Sequence, residues 1–191
     1  NYGKAEPLYR RSLAIREKVF GPEHPDVATS LNGLARLYDV LGDHAKAEPL
    51  YRRSLAIWKK TLGPEHPYVA ISLNNLAGLY RDLGDFAKAE PLLRRAIAVW
   101  EKSLGPEHPD VATSLNNLAV LYGASGDYQR AHDLHRRAQA IDCKVIDAVL
   151  GFSSEDQKMQ FLATMRAALN GFLSLVSQHL LDSPRARKEA L

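Results

Sequence analysis

The sequence predicts an all-α fold, a right-handed superhelical solenoid built from repeated helical hairpins. The first observation is a segment, GPEHPDVATSLN, which occupies residues 21–32 and recurs letter for letter at residues 105–116, with GPEHPYVAISLN at residues 63–74. The second observation is another segment, KAEPLYRRSLAI, which occupies residues 4–15 and residues 46–57. The third is their common period of 42 residues, because self-similarity at a fixed period of this size is typical of repeat architectures.

Each period contains two helical patterns, and the first helix is predicted from about Pro25 to Leu41. Its apolar residues recur at the three- and four-residue spacing of one helix face. The residues predicted to face inward are Val27, Leu31, Leu34, Ala35, Tyr38 and Leu41. Pro25 suits the first turn, where no backbone donor is needed, and Gly42 supplies the turn that follows.

The second helix is predicted to begin after Asp43, a natural N-cap. It ends at Gly63-Pro64, because glycine accepts a left-handed C-cap and proline cannot continue the helix. The residues predicted to face inward are Ala47, Leu50, Tyr51, Ser54, Leu55 and Trp58. Pro49 lies near the start of this helix, so we expect a mild bend and no break.

Eight positions of each unit carry a resemblance to a known family. In the first complete unit they are Leu31, Leu34, Ala35, Tyr38, Gly42, Ala47, Tyr51 and Ser54. This pattern resembles the tetratricopeptide (TPR) consensus, whose usual period is 34 residues. The longer period and the LGPEHP connector resemble the kinesin-light-chain class of these repeats. The resemblance covers residues 1–141 and implies one half repeat followed by three helix pairs.

After Ile141 the repeat pattern ends, and we expect a second region at residues 142–191. There the last repeat helix is expected to continue, followed by an apolar helix at residues 155–181 and the start of a further helix. The apolar helix is expected to cap the exposed end of the solenoid. Alternatively, residues 161–191 resemble the segment that leads into CHAT domains of bacterial proteins, which are caspase-like peptidase modules. That resemblance implies a peptidase beyond this chain and supplies no catalytic residue to it.

The composition indicates a globular protein, and the point at which the chain enters the repeat indicates that it is part of something longer. The hydrophobic content of 46% and charged content of 25% are ordinary for globular domains, and a net charge of +3 does not require an acidic partner. The chain begins halfway through a repeat, so we expect a fragment. The single cysteine, Cys143, suits a reducing compartment, so we expect a cytoplasmic location. No apolar run is long enough for a membrane span, and no signal-peptide pattern is present.

The residues do not support an enzyme. Cys143 shares a predicted helix with His132 and His135, but both lie too far along the axis to act as its base. We expect Cys143 to be a small buried or half-buried side chain. The glycines are scattered at helix ends and form no phosphate-binding loop, so we expect no cofactor.

A histidine recurs at the same place in each unit, which invites a metal interpretation. These residues are His24, His66 and His108. Packed helices lie about 8–10 Å apart, whereas zinc ligands lie about 2 Å from one centre. The three histidines therefore cannot share an ion, and we expect each to bond neighbouring backbone.

A ladder of paired arginines also follows the period: Arg10-Arg11, Arg52-Arg53, Arg94-Arg95 and Arg136-Arg137. Such a basic stripe can hold phosphates. However, Glu6, Glu48 and Glu90 precede the first arginines by four residues, the spacing of helical ion pairs. We therefore expect a solvated, salt-bridged outer face and no nucleic-acid partner.

The candidate binding residues lie on the first helices, which line the concave groove in the family that the repeats resemble. The asparagines expected to project there are Asn32, Asn74, Asn75, Asn116 and Asn117. A carboxamide offers both a donor and an acceptor, as an extended peptide requires. Arg36 and Arg81 differ from their equivalents in other units and would provide specificity. In the alternative interpretation, the asparagines bond the adjacent helix and only maintain its spacing.

The expected partner is therefore a peptide or protein segment in the groove, and the chain would serve as a recognition or regulatory arm of a larger protein. The alternative is a self-associating scaffold that forms homo-oligomers through its terminal repeat or its apolar C-terminal helix. No membrane partner is expected.

Overall fold

The computed structural model describes residues 2–151, and within that range it contains seven α-helices and no strand. In chain order they are α1 (Tyr2–Phe20), α2 (Pro25–Val40), α3 (His44–Leu62), α4 (Pro67–Asp82), α5 (Phe86–Leu104), α6 (Pro109–Ala124) and α7 (Tyr128–Gly151). The chain divides into two units, residues 1–144 and residues 145–191. The helix predicted at residues 155–181, whether a cap or a leader to another domain, lies outside the described residues.

Repeated caps set the start of each helix. His24 is the N-cap of α2, where its Nδ1 accepts a hydrogen bond from the backbone N–H of Asp26 at 3.2 Å. His66 and His108 cap α4 and α6 in the same way. Asp43 caps α3 by accepting from the backbone N–H of Lys46 at 3.2 Å. The predicted backbone-bonding role of the histidines and the predicted aspartate cap are both confirmed.

The helix ends also follow the sequence, with one exception. Gly63 adopts φ 91° after α3, the left-handed region that favours glycine. Pro49 lies inside α3 without ending it. Leu41 was predicted to face inward, but its side chain is 49% exposed. That prediction is wrong because α2 ends at Val40 and Leu41 lies in the turn beyond the last packed residue.

The helices of residues 1–144 pack as a series of hairpins. α2 packs against α3 and α4 against α5, while α1·α2, α3·α4 and α5·α6 contacts join one hairpin to the next. Ala35 and Ala47 are fully buried at 0% exposure, so α2 and α3 approach each other closely. The helices also build one continuous core that runs from Val27 to Ile141. The predicted all-α solenoid is confirmed.

A three-residue network joins each second helix to the following first helix. Arg52 Nε donates to Glu48 Oε1 at 2.8 Å, and Tyr80 of α4 donates its hydroxyl proton to the same oxygen at 2.6 Å. Arg52 Nη2 in turn donates to the Tyr80 hydroxyl at 2.6 Å. The same network occurs in two further units, as Glu6–Arg10–Tyr38 and Glu90–Arg94–Tyr122. The predicted Glu–Arg pairs are confirmed, whereas the tyrosine was not anticipated.

In three of the four pairs, the second arginine also has an acidic partner. Arg53 of α3 bonds Glu17 of α1 at 2.7 Å, Arg95 pairs with Glu65, and Arg137 of α7 pairs with Glu101 of α5. The arginine ladder is therefore a salt-bridged face, as predicted. The absence of a nucleic-acid partner stays a prediction.

Candidate functional site

The asparagines predicted to bind a partner lie on helices that touch one another. α2 contacts α4, and α4 contacts α6. All five asparagines are half-buried there. Side chains of these helices that remain at least partly exposed form one surface, which we call the first-helix face: Asn32, Arg36, Asn75, Asn117 and Val120.

At the junction of α2 and α4, two asparagines bond each other. Asn75 Nδ2 donates to Asn32 Oδ1 at 3.1 Å. This bond uses one of the two Asn75 donors and one Asn32 acceptor site, so both carboxamides keep capacity for further bonds. Beside them the ring of Tyr68 stacks on Trp58, with ring centroids 5.2 Å apart and 27° between planes. An aromatic side chain therefore covers the indole at this junction.

A missing hydroxyl changes the junction of α4 and α6. At the first junction, Ser54 and Ser72 are buried and their Oγ atoms share a hydrogen bond of 2.8 Å. The residue equivalent to Ser54 in the next unit is Ala96, which offers no partner to Ser114, the equivalent of Ser72. Ser114 Oγ instead donates to the backbone carbonyl of Asp110 at 3.0 Å.

Asn74 adopts a different role from its equivalent Asn32 as a result. Its Nδ2 donates to Ser114 Oγ at 2.6 Å. Because the single hydroxyl hydrogen of Ser114 is directed to the Asp110 carbonyl, Ser114 Oγ can only accept, which assigns the orientation of the Asn74 amide. Asn74 Oδ1 is consequently buried with no hydrogen-bond partner among the described residues.

A cleft of roughly 210 Å³ opens at this second junction, and we call it the Trp100 cleft. Its apolar walls are Ile71 and Trp100, and its polar groups belong to Asn74, Asn75, Asp110, Thr113 and Asn117. Trp100 is 4% exposed, and within the described chain its Nε1 has no hydrogen-bond partner. Asp110 occupies the position of Tyr68, so the ring that covers Trp58 has no equivalent over Trp100.

The remaining predicted site residues lie further apart. Asn116 Oδ1 bonds His135 Nδ1 of α7 at 3.0 Å. Arg36 is exposed on α2. Arg81 pairs with the adjacent Asp82 at 2.9 Å, at the end of α4. The structure thus groups Asn32 with Asn75 and Asn74 with Asn117, and it leaves the two arginines outside these groups.

Gly33 explains the gap in the second asparagine column. A Cβ at Gly33 would lie 2.8 Å from Cε1 of the Tyr9 ring, which is closer than such atoms pack. A side chain at this position therefore requires the ring to move, and α2 carries glycine where α4 and α6 carry Asn75 and Asn117.

Several residues that distinguish the two junctions were not identified from the sequence as site residues. Trp58 was assigned to the core, the position of Ser54 and Ala96 to the repeat pattern, and Trp100, Tyr68 and Asp110 were not singled out. A usable signal was present, since Tyr68 and Asp110, like Ser54 and Ala96, differ at equivalent positions of units that are otherwise nearly identical.

The described residues offer little else that could carry chemistry. No group of three or more His, Cys, Asp or Glu side chains among them could hold a metal ion. Cys143 is exposed, so its predicted burial is wrong. The buried face of α7 carries Ala138 and Ile141, and Cys143 lies two residues beyond, on another side of the helix. Between residues 2 and 151, no helix is long and apolar enough to cross a membrane.

Comparison with known proteins identifies the repeat family. The family model of the tetratricopeptide repeat matches residues 1–60, 40–102 and 68–144. A comparison with curated proteins finds no significant match.

Solved structures share the fold. The crystal structure of BtubC (BKLC) from P. vanneervenii matches with a TM-score of 0.70 and 29% identity over 81% of this chain. This chain spans 60% of the length of that protein. A Podosopora anserina protein described as a kinesin light chain with nearly identical TPR-like repeats matches with a TM-score of 0.62 and 35% identity, covering 75% of this chain and 68% of its own. The apo form of RapI matches in fold, with a TM-score of 0.68 and 20% identity over 93% of this chain and 66% of its own.

Proposed function

Since this chain belongs to the tetratricopeptide repeat family and is therefore a protein-interaction module, we propose that its first-helix face holds an extended segment of a partner protein. The observation that carries the proposal is the unused bonding capacity of three half-buried carboxamides. In the described part of the chain, Asn32 Nδ2 and Asn75 Oδ1 have no partner, and neither does either end of the Asn117 amide.

The spacing of these amides suits an extended peptide. Neighbouring packed helices lie about 8–10 Å apart, and an extended chain rises about 3.3 Å per residue. Each unit would therefore meet the ligand about once every three residues. Backbone amides of the ligand would bond the carboxamides regardless of sequence, while Arg36 and Val120, which are both exposed, would select among side chains.

The competing interpretation also has support, because two of the asparagines bond across helices. Asn75 bonds Asn32, and Asn74 bonds Ser114. If spacing were their whole role, their removal would lower the free energy of unfolding without changing affinity. The proposal requires the reverse, a loss of affinity that exceeds the loss of stability.

A displayed random peptide library, panned against the full chain, supplies the probe for this test. We expect Asn75→Ala with Asn117→Ala to weaken a selected peptide about tenfold, because each lost hydrogen bond contributes about 0.5–1.5 kcal/mol. Fluorescence anisotropy measures affinity, and circular dichroism checks helicity. Lys18→Ala with Lys59→Ala, two exposed positions on second helices, is the matched control. Unchanged affinity in the asparagine variant would refute the proposal.

A separate observation favours self-association as a second candidate. Leu8, Ile15 and Val19 of α1 are 66%, 52% and 64% exposed. In the next unit the equivalent of Ile15 is Ile57, which is 2% exposed in α3, the helix that packs on α2. A second copy, whose helices have the same sequence pattern as α2, is the proposed occupant. Light scattering should then report a dimer mass that Ile15→Asp with Val19→Asp reduces to one chain. A monomeric unmodified chain would exclude this candidate.

A role as the arm of a larger protein, and an association with a CHAT peptidase, stay predictions. So does the division into a repeat array at residues 1–141 and a separate region at residues 142–191.

A further inference from the structure

We propose that the Trp100 cleft binds a primary carboxamide, the side chain of a glutamine or asparagine in the partner segment. The inference rests on the proposed function of the first-helix face and adds the chemistry that one junction selects. Its basis is a pair of buried polar atoms, one donor and one acceptor, that belong to two residues of the same cleft and have no partner in the described residues. They are Trp100 Nε1 and Asn74 Oδ1.

The chemistry of each atom determines the kind of partner that it lacks. The indole Nε1–H is a donor only. The Ser114 hydroxyl donates to the Asp110 carbonyl and accepts from Asn74 Nδ2, which leaves Asn74 Oδ1 as the end of the amide without a partner. Unpartnered buried polar groups are costly and rare. An occupant with one acceptor and one donor would satisfy both atoms.

A carboxamide meets both requirements in one planar group. Its oxygen would accept from Trp100 Nε1–H, and its NH2 group would donate to Asn74 Oδ1. The carboxylate of Asp110, whose side chain is 49% exposed, lies at the same cleft and also favours a donor. Ile71 and the face of Trp100 would pack against the methylene groups that precede the carboxamide.

Other side chains fit less well. A carboxylate would present only acceptors to Asn74 Oδ1 and Asp110. A guanidinium or ammonium group would bond both of these but would leave the Trp100 donor facing another donor. The cleft volume of roughly 210 Å³ lies below the ~300–1,000 Å³ of pockets that enclose whole small molecules. It therefore matches a side chain.

Entry of a side chain into the cleft would depend on Asn117. Asn117 is half-buried there, and no hydrogen bond to another described residue holds its side chain. Its side chain is therefore free to turn away from the cleft. Trp58 Nε1 at the first junction also has no partner in the described residues, but there Tyr68 stacks on the indole and Asn75 bonds Asn32 Oδ1, so no acceptor is left unpaired beside it. The same recognition is therefore not expected there.

The two tryptophans of the chain make the test direct. Uniformly ¹⁵N-labelled protein gives two indole Nε1–H resonances, which a Trp58→Phe variant assigns. The probes are the N-acetyl methylamides of glutamine, glutamate and arginine, which differ only in their side chains. We expect the glutamine probe to shift the Trp100 resonance saturably, with Trp58 unmoved as the internal control. The glutamate and arginine probes should bind at least about tenfold more weakly, because each leaves a buried polar group unpaired.

Asp110→Tyr copies Tyr68 and should cover Trp100, so it should abolish the response to glutamine. Equal shifts from the three probes, tighter binding of arginine or glutamate, or no Trp100 shift would each overturn the inference. A selected peptide that needs Asn75 and Asn117 but leaves the Trp100 resonance unmoved would refute the carboxamide site alone and preserve the proposed function.

Discussion

The two junctions between first helices have nearly the same sequence but different interiors. At the α2/α4 junction Tyr68 stacks on Trp58 and Asn75 bonds Asn32. At the α4/α6 junction the indole of Trp100 has no such cover, and Asn74 bonds Ser114. Repeats of one pattern thus produce one filled and one open junction.

The cause is small. Asp110 replaces Tyr68, and Ala96 replaces Ser54. The first substitution removes an aromatic ring from above the indole. The second removes the hydroxyl partner of Ser114, which redirects Asn74 and leaves its oxygen unpaired. A single buried hydroxyl on a second helix therefore changes which polar groups the first-helix face presents, because hydrogen-bond partners in a packed interior are shared along a chain of neighbours.

The largest expected effect is the loss of stability on truncating a buried tryptophan, which should differ between Trp58 and Trp100. Truncation of either buried tryptophan, Trp58→Ala or Trp100→Ala, should lower the free energy of unfolding by about 3–5 kcal/mol through lost burial and a residual cavity. We expect Trp58→Ala to cost about 1 kcal/mol more, because it also loses the stacked ring of Tyr68.

Urea unfolding followed by circular dichroism measures this difference, and Tyr68→Ala in the background of each variant is the control. Removal of Tyr68 should matter only where Trp58 is intact. If Trp100→Ala were the more destabilising variant, the first junction would not be the better packed of the two.

Adding one hydroxyl, with Ala96→Ser, should make the α4/α6 junction resemble the α2/α4 junction. Ala96→Ser restores the partner that Ser114 lacks, so Asn74 is released and its Oδ1 becomes available to Asn117, as Asn32 Oδ1 is to Asn75. The free energy of unfolding should change by less than about 1 kcal/mol, since the added hydrogen bond offsets the buried hydroxyl.

The readouts of this exchange are the Asn74 side-chain amide resonances, which should shift, and the Trp100 response to the glutamine probe, which should be lost. Ser54→Ala is the matched variant and should redirect Asn32 at the first junction. Unchanged Asn74 resonances in Ala96→Ser would show that the hydroxyl does not govern the junction.

The smallest expected effect concerns the Glu–Arg–Tyr network, which is the same in both units. Hydrogen bonds from Tyr80 and Arg52 lower the pKa of Glu48, and bonds from Tyr122 and Arg94 lower the pKa of Glu90. A carboxyl whose pKa is lower in the folded state stabilises the fold above its unfolded pKa of about 4.3, and this stability is lost as the pH falls through the folded pKa.

Glu48→Gln and Glu90→Gln should therefore each destabilise the fold at pH 7 by less than about 1 kcal/mol, since these pairs are partly exposed. Each variant should also lose less stability than the unmodified chain when the pH falls below about 4. Urea midpoints at pH 7 and pH 3.5 measure both effects. A larger effect at one glutamate would mean that the two networks are not equivalent.

The hairpin architecture was predictable from the sequence because it depends on local rules. Apolar spacing located the helices, and His24 and Asp43 identified their caps. These features act within a few residues of the chain, so a repeated segment repeats them. The predictions for Leu41 and Cys143 were wrong for two different reasons. Leu41 lies beyond the end of α2, and Cys143 lies on an exposed side of α7; residue spacing alone describes neither feature well.

The site was predictable only in part. The asparagines do lie on the first helices, as the pattern indicated, but their partners do not follow from it. Asn32 and Asn74 occupy the same repeat position and have different bonds, because the neighbours that decide them, Ser54 and Ala96, belong to another helix.

The 42-residue period was therefore sufficient, before any coordinates, to identify helices, their caps and the family of the repeat. Only the packed helices decided which carboxamides keep unused hydrogen-bonding groups and which indole is left uncovered. The physical reason is range: a cap or an apolar stripe is satisfied by residues close in the chain. A buried polar atom is instead satisfied by whichever atom packing brings within about 3 Å.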